Sequence, residues 1–380
     1  MAMSKPHVTH YYDIHGLVTV QSETRLPELE AFRVANLREA PTIRVRHGKP
    51  FALNGAARRV HYDDGLGSLR FTIDVAFADT IDVAASPLLA SSPHVLYTNV
   101  VEPILRWTFV EKGFALVHGA CVAWGDDAYL ITARTDTGKT TTILRLLDNE
   151  PGWRFLSDDL TLLAPDGRVL MYPKPLTISR HTVSSVRAAA LTRRERMTLG
   201  IQSRLHSRSG RRFGLLLART RLPMATTNAV TQLFVPPPKY DVRRLIPGAS
   251  LIREARLAGM IVIERGDDGE IELDQESALE ILMSNCEDAF GFPPYSTIRE
   301  FLYLTGRGDL RPVECDIVAS ALQGRRAVLL RSGTRDWWQQ IPAIAGCRPG
   351  KKTHEPRRAR VEDRDPDLAL VPIAVSGSSD

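Results

Sequence analysis

Lys139 and, nineteen residues further on, the adjacent pair Asp158 and Asp159 are the side chains of this 380-residue sequence whose types and spacing best fit chemistry. Lys139 lies in the run Ala133-Arg134-Thr135-Asp136-Thr137-Gly138-Lys139-Thr140. That run follows the pattern G-x-x-x-x-G-K-[ST], with Ala133 in place of the first glycine. An apolar strand-like stretch, AYLIT, precedes it, and a helix-like stretch, TTILRLLDN, follows. In that context the backbone from Thr135 through Asp136, Thr137, Gly138, Lys139 and Thr140 to Thr141 can cradle anionic oxygens. The start of the helix adds its positive dipole end. Lys139 supplies a cation for the β- and γ-phosphates of a nucleotide, and the Thr140 hydroxyl can take magnesium. ATP and magnesium are therefore the expected ligands. Asp158 and Asp159 close a short strand, RFLS. Two such carboxylates can divide the work, one holding the metal, directly or through water, and the other accepting the proton of an attacking hydroxyl.

The run VHGACVAWGDDAYLITARTDTGKTTTILRLL, then FLSDD, resembles the catalytic domain of bacterial HPr kinase/phosphorylase, whose fold is shared with ATP-dependent phosphoenolpyruvate carboxykinase. The resemblance covers about residues 115–165 and rests on five features in order: a His-Gly on a strand, a second strand, the phosphate loop, a helix, and a strand ending in Asp-Asp. It implies an α/β domain with a mixed sheet. It also implies catalytic roles for His118, Lys139 and Asp158, with Asp159 and Thr140 on magnesium. The family's later Glu-Ile-Arg-Gly signature is absent, and residues 170–182 read LMYPKPLTISRHT instead. The phosphoryl chemistry carries over better than the acceptor, which is left as a protein or peptide serine or a small alcohol. Two other readings stay open. One is a nucleotide sensor or scaffold with a degenerate loop, for which Ala133 and Asp136 speak. The other is an enzyme related to the carboxykinases.

These residues need elements to hold them. Leu17–Val20, Thr42–Arg46, Arg58–Tyr62 and Leu69–Ile73 carry β-branched or alternating apolar residues between Gly, Asp, Asn and Pro, and predict a β-rich lobe over 1–110. That lobe ends in a helix over Ser92–Glu111, where Val95, Leu96, Val100, Ile104, Leu105 and Phe109 recur at three- and four-residue spacing. The nucleotide-binding domain is expected over 111–347. Within it, Leu116–Ala123 reads as one strand, Thr161–Ala164 and Val169–Tyr172 as a hairpin around Pro-Asp-Gly, and Gln275–Asn285, Tyr295–Leu304 and Cys315–Leu322 as helices. Residues 348–380, rich in Pro, Arg and Asp, are expected to lack fixed structure.

Further residues fall around the expected site. Lys174, Arg180 and His181 follow the aspartates and can contact acceptor or phosphate. Between 187 and 221, ten arginines face one acidic residue, Glu195. Arg208, Arg211 and Arg212 in that stretch can bind an acceptor that already carries a phosphate, or make weak contact with an anionic membrane. Few aromatics stand there, which argues against nucleic acid, as does a net charge of only +5. Lys239 in PPPKY and Glu287–Asp288 in NCEDAFGFPPY are lesser candidates, and Trp337–Trp338 are expected to dock the last helix. Hydrophobic residues at 43% and charged residues at 24% are ordinary for a globular chain. Four cysteines without a CxxC pair give neither a zinc site nor a disulfide framework. With no signal-like or membrane-length apolar run, the expected location is cytoplasmic. The sequence leaves room for an oligomer.

Overall fold

A computed structural model describes residues 8–48, 58–66, 69–178, 223–234, 239–290, 308–347 and 357–358. It is a mixed α/β structure with two large mixed sheets and no barrel among the described residues. The first sheet is built from β1 (His10–Ile14), β2 (Val18–Ser22), β3 (Arg33–Val34), β4 (Ile43–His47), β5 (Arg58–Leu66), β6 (Leu69–Phe77) and β7 (Ile81–Ala85). Its order is β3-β1-β2-β4-β7-β6-β5. The β2–β4 and β4–β7 pairs are parallel, and the rest are antiparallel. Period-2 alternation sets its faces: Val18, Val20 and Ser22 are buried while Thr19 and Gln21 are half-buried.

The helical run after this sheet has an interruption. Pro93–Leu96 and Glu102–Glu111 are α-helical, and Tyr97–Val101 between them is a π turn closed by the Glu102 N–H on the Tyr97 carbonyl. Pro103 supplies the reason. It has no N–H to give to the carbonyl of Asn99, and its ring pushes that carbonyl away, so the backbone widens one turn earlier. Every residue from Glu102 to Val110 is buried. This helix packs on β2 of the first sheet and on β8 (Ala115–His118) of the second. One apolar core therefore runs from Tyr12, Val20 and Ile73 through Trp107 and Phe109 to Leu116, Leu162 and Met260.

The second sheet continues with β9 (Ala120–Trp124), β10 (Asp127–Thr132), β11 (Trp153–Ser157), β12 (Leu160–Leu163) and β13 (Arg168–Leu170). A separate short pair, β14 (Leu176–Thr177) and β15 (Lys239–Tyr240), stands beside it. β16 (Ser250–Leu251), β17 (Glu254–Arg265), β18 (Gly269–Leu273) and β19 (Arg326–Ser332) complete the large sheet, with Arg357–Arg358 on the edge of β18. β17 spreads the sheet: its first residues pair with β13, its middle with β10 and its end with β19. The Thr161–Ala164 and Val169–Tyr172 hairpin forms as β12 and β13. Strands β17 and β18, joined through Asp267 and Asp268, do not pair; β19 lies between them.

One sequence expectation needs correcting. Leu116–Ala123 is two strands, broken at Gly119. β8 pairs with β12, whereas β9 pairs with β10 and β11. The facing run breaks at the same level, at Asp158–Asp159, and the Gly119 N–H donates to the Asp159 carbonyl at 3.0 Å. A side chain at Gly119 would begin 2.8 Å from Leu130 Cδ1 and 3.3 Å from the Ile131 carbonyl, so the crossing requires glycine. The coincident breaks place His118 opposite the aspartates.

The expected helix Tyr295–Leu304 and the expected tail from 348, apart from 357–358, lie outside the described residues. No helix among the described residues is long and apolar enough to cross a membrane.

Candidate active site

Strand β10 delivers the loop Ala133–Gly138 to the helix Lys139–Asn149. Ala133 is 1% exposed and lies in an apolar cluster with Ile143, Leu144 and Trp337. Its φ is not positive, so the methyl that replaces the expected glycine brings no backbone strain. Asp136 does stand in the left-handed region, at φ 64°, which Asp tolerates better than most residues. Gly138 has φ 137°, and a side chain there would begin 3.2 Å from the Trp337 ring. Its glycine is obligatory on both counts. Thr135 donates from its hydroxyl to Asp288 at 2.8 Å, which ties the loop to the end of the helix Gln275–Phe290.

Behind the loop a chain of ionisable groups runs inward. Lys139 Nζ donates to His118 Nε2 at 2.7 Å and to the Ala133 carbonyl at 3.2 Å. His118 Nδ1 faces Asp159 Oδ1 at 3.4 Å. With Nε2 accepting from an ammonium, His118 is neutral and carries its proton on Nδ1, toward Asp159. Burial, then Lys139, pulls its pKa down to about 4 against the opposing effect of Asp159. Lys174 Nζ donates to Asp159 Oδ2 at 3.0 Å and to Glu102 Oε2 at 2.7 Å. It also lies 5.5 Å from the centre of the Tyr97 ring. Burial disfavours the Lys174 ammonium, yet the two carboxylates outweigh it and raise its pKa.

The adjacent aspartates, in the bend between β11 and β12, meet different partners. Asp158 is 7% exposed. It accepts from the Thr140 hydroxyl at 3.0 Å through Oδ2, while its buried Oδ1 has no partner. Burial first, then the charge of Asp159, pushes its pKa up to about 7, against the lowering effects of Thr140, Lys139 and Lys174. Asp159 is half-exposed. Burial of its carboxylate is overcome by Lys174, His118 and Lys139, which hold it well below the usual carboxylate range. Thr140 thus pairs with Asp158 and not with Asp159, its expected partner on the metal. The reason is geometric: the first turn of the loop helix faces the Asp158 side of the strand end.

A scan against protein-family models matches none, and a search of the curated proteins finds no relative. The grouping of these residues therefore rests on the chain's own geometry. His118, Lys139, Thr140, Asp158, Asp159 and Lys174 are brought together. Arg180, His181, Arg208, Arg211 and Arg212 lie outside the described residues.

Lys239, a lesser candidate for reaching phosphate, meets Glu28 and, at 2.6 Å, His94 Nδ1. Glu287 reaches Arg106 at 3.2 Å, away from the loop. Trp337 does more than dock the last helix, since its ring backs Gly138. Three participants carry no sequence signal: Glu102, Tyr97 and Arg265. Their partners are 72 positions distant for Glu102 and more than 120 for Arg265. Only the proline two residues after the π turn hints at an irregular helix near Glu102.

Proposed function

We propose that this chain is an ATP- and magnesium-dependent phosphotransferase, built on the HPr kinase and carboxykinase type of fold, that moves the γ-phosphoryl group onto an acceptor hydroxyl. One observation carries the reading. A strand–loop–helix unit with Gly138, Lys139 and Thr140 meets the end of a strand where a buried carboxylate, Asp158, keeps one oxygen without a partner.

The residues fit magnesium. Thr140 and an aspartate are hard oxygen donors, the pair this ion takes while keeping its other positions for phosphates and water. When bound, the ion would draw together the β- and γ-phosphates and offset their charge. Holding it between Thr140 and Asp159, as the resemblance implies, would require the Thr140 hydroxyl to leave Asp158.

The chain's own groups do the rest. Loop amides and Lys139 bind and orient the triphosphate. Asp158, with a pKa near 7 and a free Oδ1, is poised to accept the acceptor's hydroxyl proton near neutral pH. Asp159 is a poor base, because Lys174 and His118 keep it ionised. The acceptor is a protein or peptide serine or a small alcohol.

A second division of labour is favoured by the Thr140–Asp158 hydrogen bond: Asp158 on the metal and Asp159 orienting the acceptor. Titrating magnesium separates the two. If Asp158 is the base, Asp158→Asn abolishes transfer at every magnesium concentration. If it is the metal ligand, excess magnesium restores part of the rate.

A sensor without turnover is favoured by one contact, the engagement of Lys139 with His118 and the Ala133 carbonyl. Incubation with γ-labelled ATP and fractionated cell extract tests the proposal. Label on an organic acceptor supports it, release of free phosphate alone indicates an ATPase, and tight binding with no turnover sinks it in favour of the sensor.

A further inference from the structure

Arg265 is the last residue of β17 and stands on the outer side of the loop. Its Nη2 donates to the Asp136 carbonyl and, at 3.2 Å, to the Thr137 carbonyl, which also accepts from Nε at 3.4 Å. A loop that turns successive N–H groups toward one anion must turn carbonyls away from it. Those carbonyls then need donors on the outside. A guanidinium suits two consecutive carbonyls, because its donors lie in one rigid plane.

The placement of Arg265 is itself fixed. Arg265 pairs with Ser332 across β17 and β19, and the preceding Glu264 accepts from Arg331 at 2.9 Å. The same strand β19 leads to the segment that backs the loop from the other direction. There the Trp337 ring lies against Gly138, and Asp336 accepts from Arg145 of the loop helix at 2.6 Å.

We infer that Arg265 is a positioning residue for nucleotide binding. It holds the Asp136 and Thr137 carbonyls outward and so sets the loop amides before the phosphates arrive. It touches no substrate and acts through the loop. This inference rests on the phosphotransferase reading.

The test compares ATP and ADP affinities, with magnesium present, for the wild-type chain, Arg265→Ala and Arg265→Gln, with melting curves to show that each variant is folded. Because ATP and ADP share the phosphates that the loop grips, both should bind about tenfold more weakly to the alanine variant, by the same factor. The glutamine variant, with one amide donor group, should fall between alanine and wild type. Added methylguanidinium should restore binding to the alanine variant, which a merely structural role would not allow. Unchanged affinities in both folded variants would overturn the inference. So would a loss confined to ATP, since that would put the guanidinium on the γ-phosphate itself. Wild-type chain that binds neither nucleotide is a separate result, and it brings down the phosphotransferase reading first.

Discussion

The helix Glu102–Glu111 carries two buried ion pairs one turn apart, and they are finished differently. Arg106 is fully buried, and its guanidinium grips both oxygens of Glu314, itself 1% exposed, at 2.7 and 2.6 Å. Glu287 adds a contact at 3.2 Å, and the rings of Trp107 and Phe290 lie 4.5 and 4.2 Å from the guanidinium carbon. That cluster ties three helices together, and its central pair, Arg106 and Glu314, is closed off from solvent, with Glu287 on the exposed rim. Glu102, at the start of the same helix, holds Lys174, which holds the half-exposed Asp159, beside Asp158 with its buried oxygen left open. A buried charge satisfied on every side serves architecture. A buried carboxylate with an unpartnered oxygen is costly, and under the proposed reaction Asp158 is the one that would be put to use.

The comparison breaks most clearly if the two clusters respond alike to mutation. Asp158→Asn should lower the transfer rate by about 10³-fold or more, the span of a lost general base. ATP binding and the far-ultraviolet circular dichroism spectrum should be nearly unchanged. Glu314→Ala should do the reverse. It leaves Arg106 buried without its main counter-charge and should cost roughly 3–5 kcal/mol in urea unfolding, with activity per folded molecule retained. A stable but inactive Glu314 variant would erase the distinction.

The open carboxylate should also show in the pH dependence of stability. In the folded chain Asp158 keeps its proton up to about pH 7. In the unfolded chain it loses it near the ordinary value of about 3.9. Between those values the native state binds more protons, so stability falls as pH rises through that window. Asparagine has no such titration. In a chelating buffer, Asp158→Asn should therefore melt above wild type, by on the order of 4 kcal/mol beyond pH 7. The advantage should shrink toward nothing near pH 4. A gap independent of pH would show that Asp158 is not held protonated.

Local pattern made part of this legible. Alternation marked β2, β4, β5 and β6, and the run from Ala133 to Thr140 announced a loop between strand and helix, with the aspartates at the next strand end. Pattern failed where two chain segments break together. Gly119 looks like an ordinary strand residue until the facing break at Asp158 is known, and the π turn follows from Pro103 in a helix that otherwise keeps its period. Contacts across long separations were not legible at all. Lys174 read as a phosphate or acceptor contact because its partner Glu102 lies 72 positions earlier. Arg265 read as nothing, since a guanidinium that serves backbone carbonyls leaves no motif. Asp158 and Asp159 are identical in type and adjacent, and only the fold assigns them opposite environments.

The subtlest test of the contrast lies with Lys174. Lys174→Met keeps the unbranched chain as far as Cε and removes the charge that Glu102 and Asp159 share. Two consequences follow, and they separate. Glu102, buried and already raised by desolvation, would take up a proton or pull water inward, which weakens the fold. Asp159 would lose its strongest counter-charge, its pKa would rise, and its carboxylate would no longer be held in place; loss of such a supporting partner typically costs roughly 10- to 100-fold in activity. Pairing the change with Glu102→Gln removes the uncompensated acid without restoring Asp159's partner. The double variant should therefore recover stability toward wild type while transfer stays low. If activity returned together with stability, Lys174 would belong with Arg106 as a structural cation.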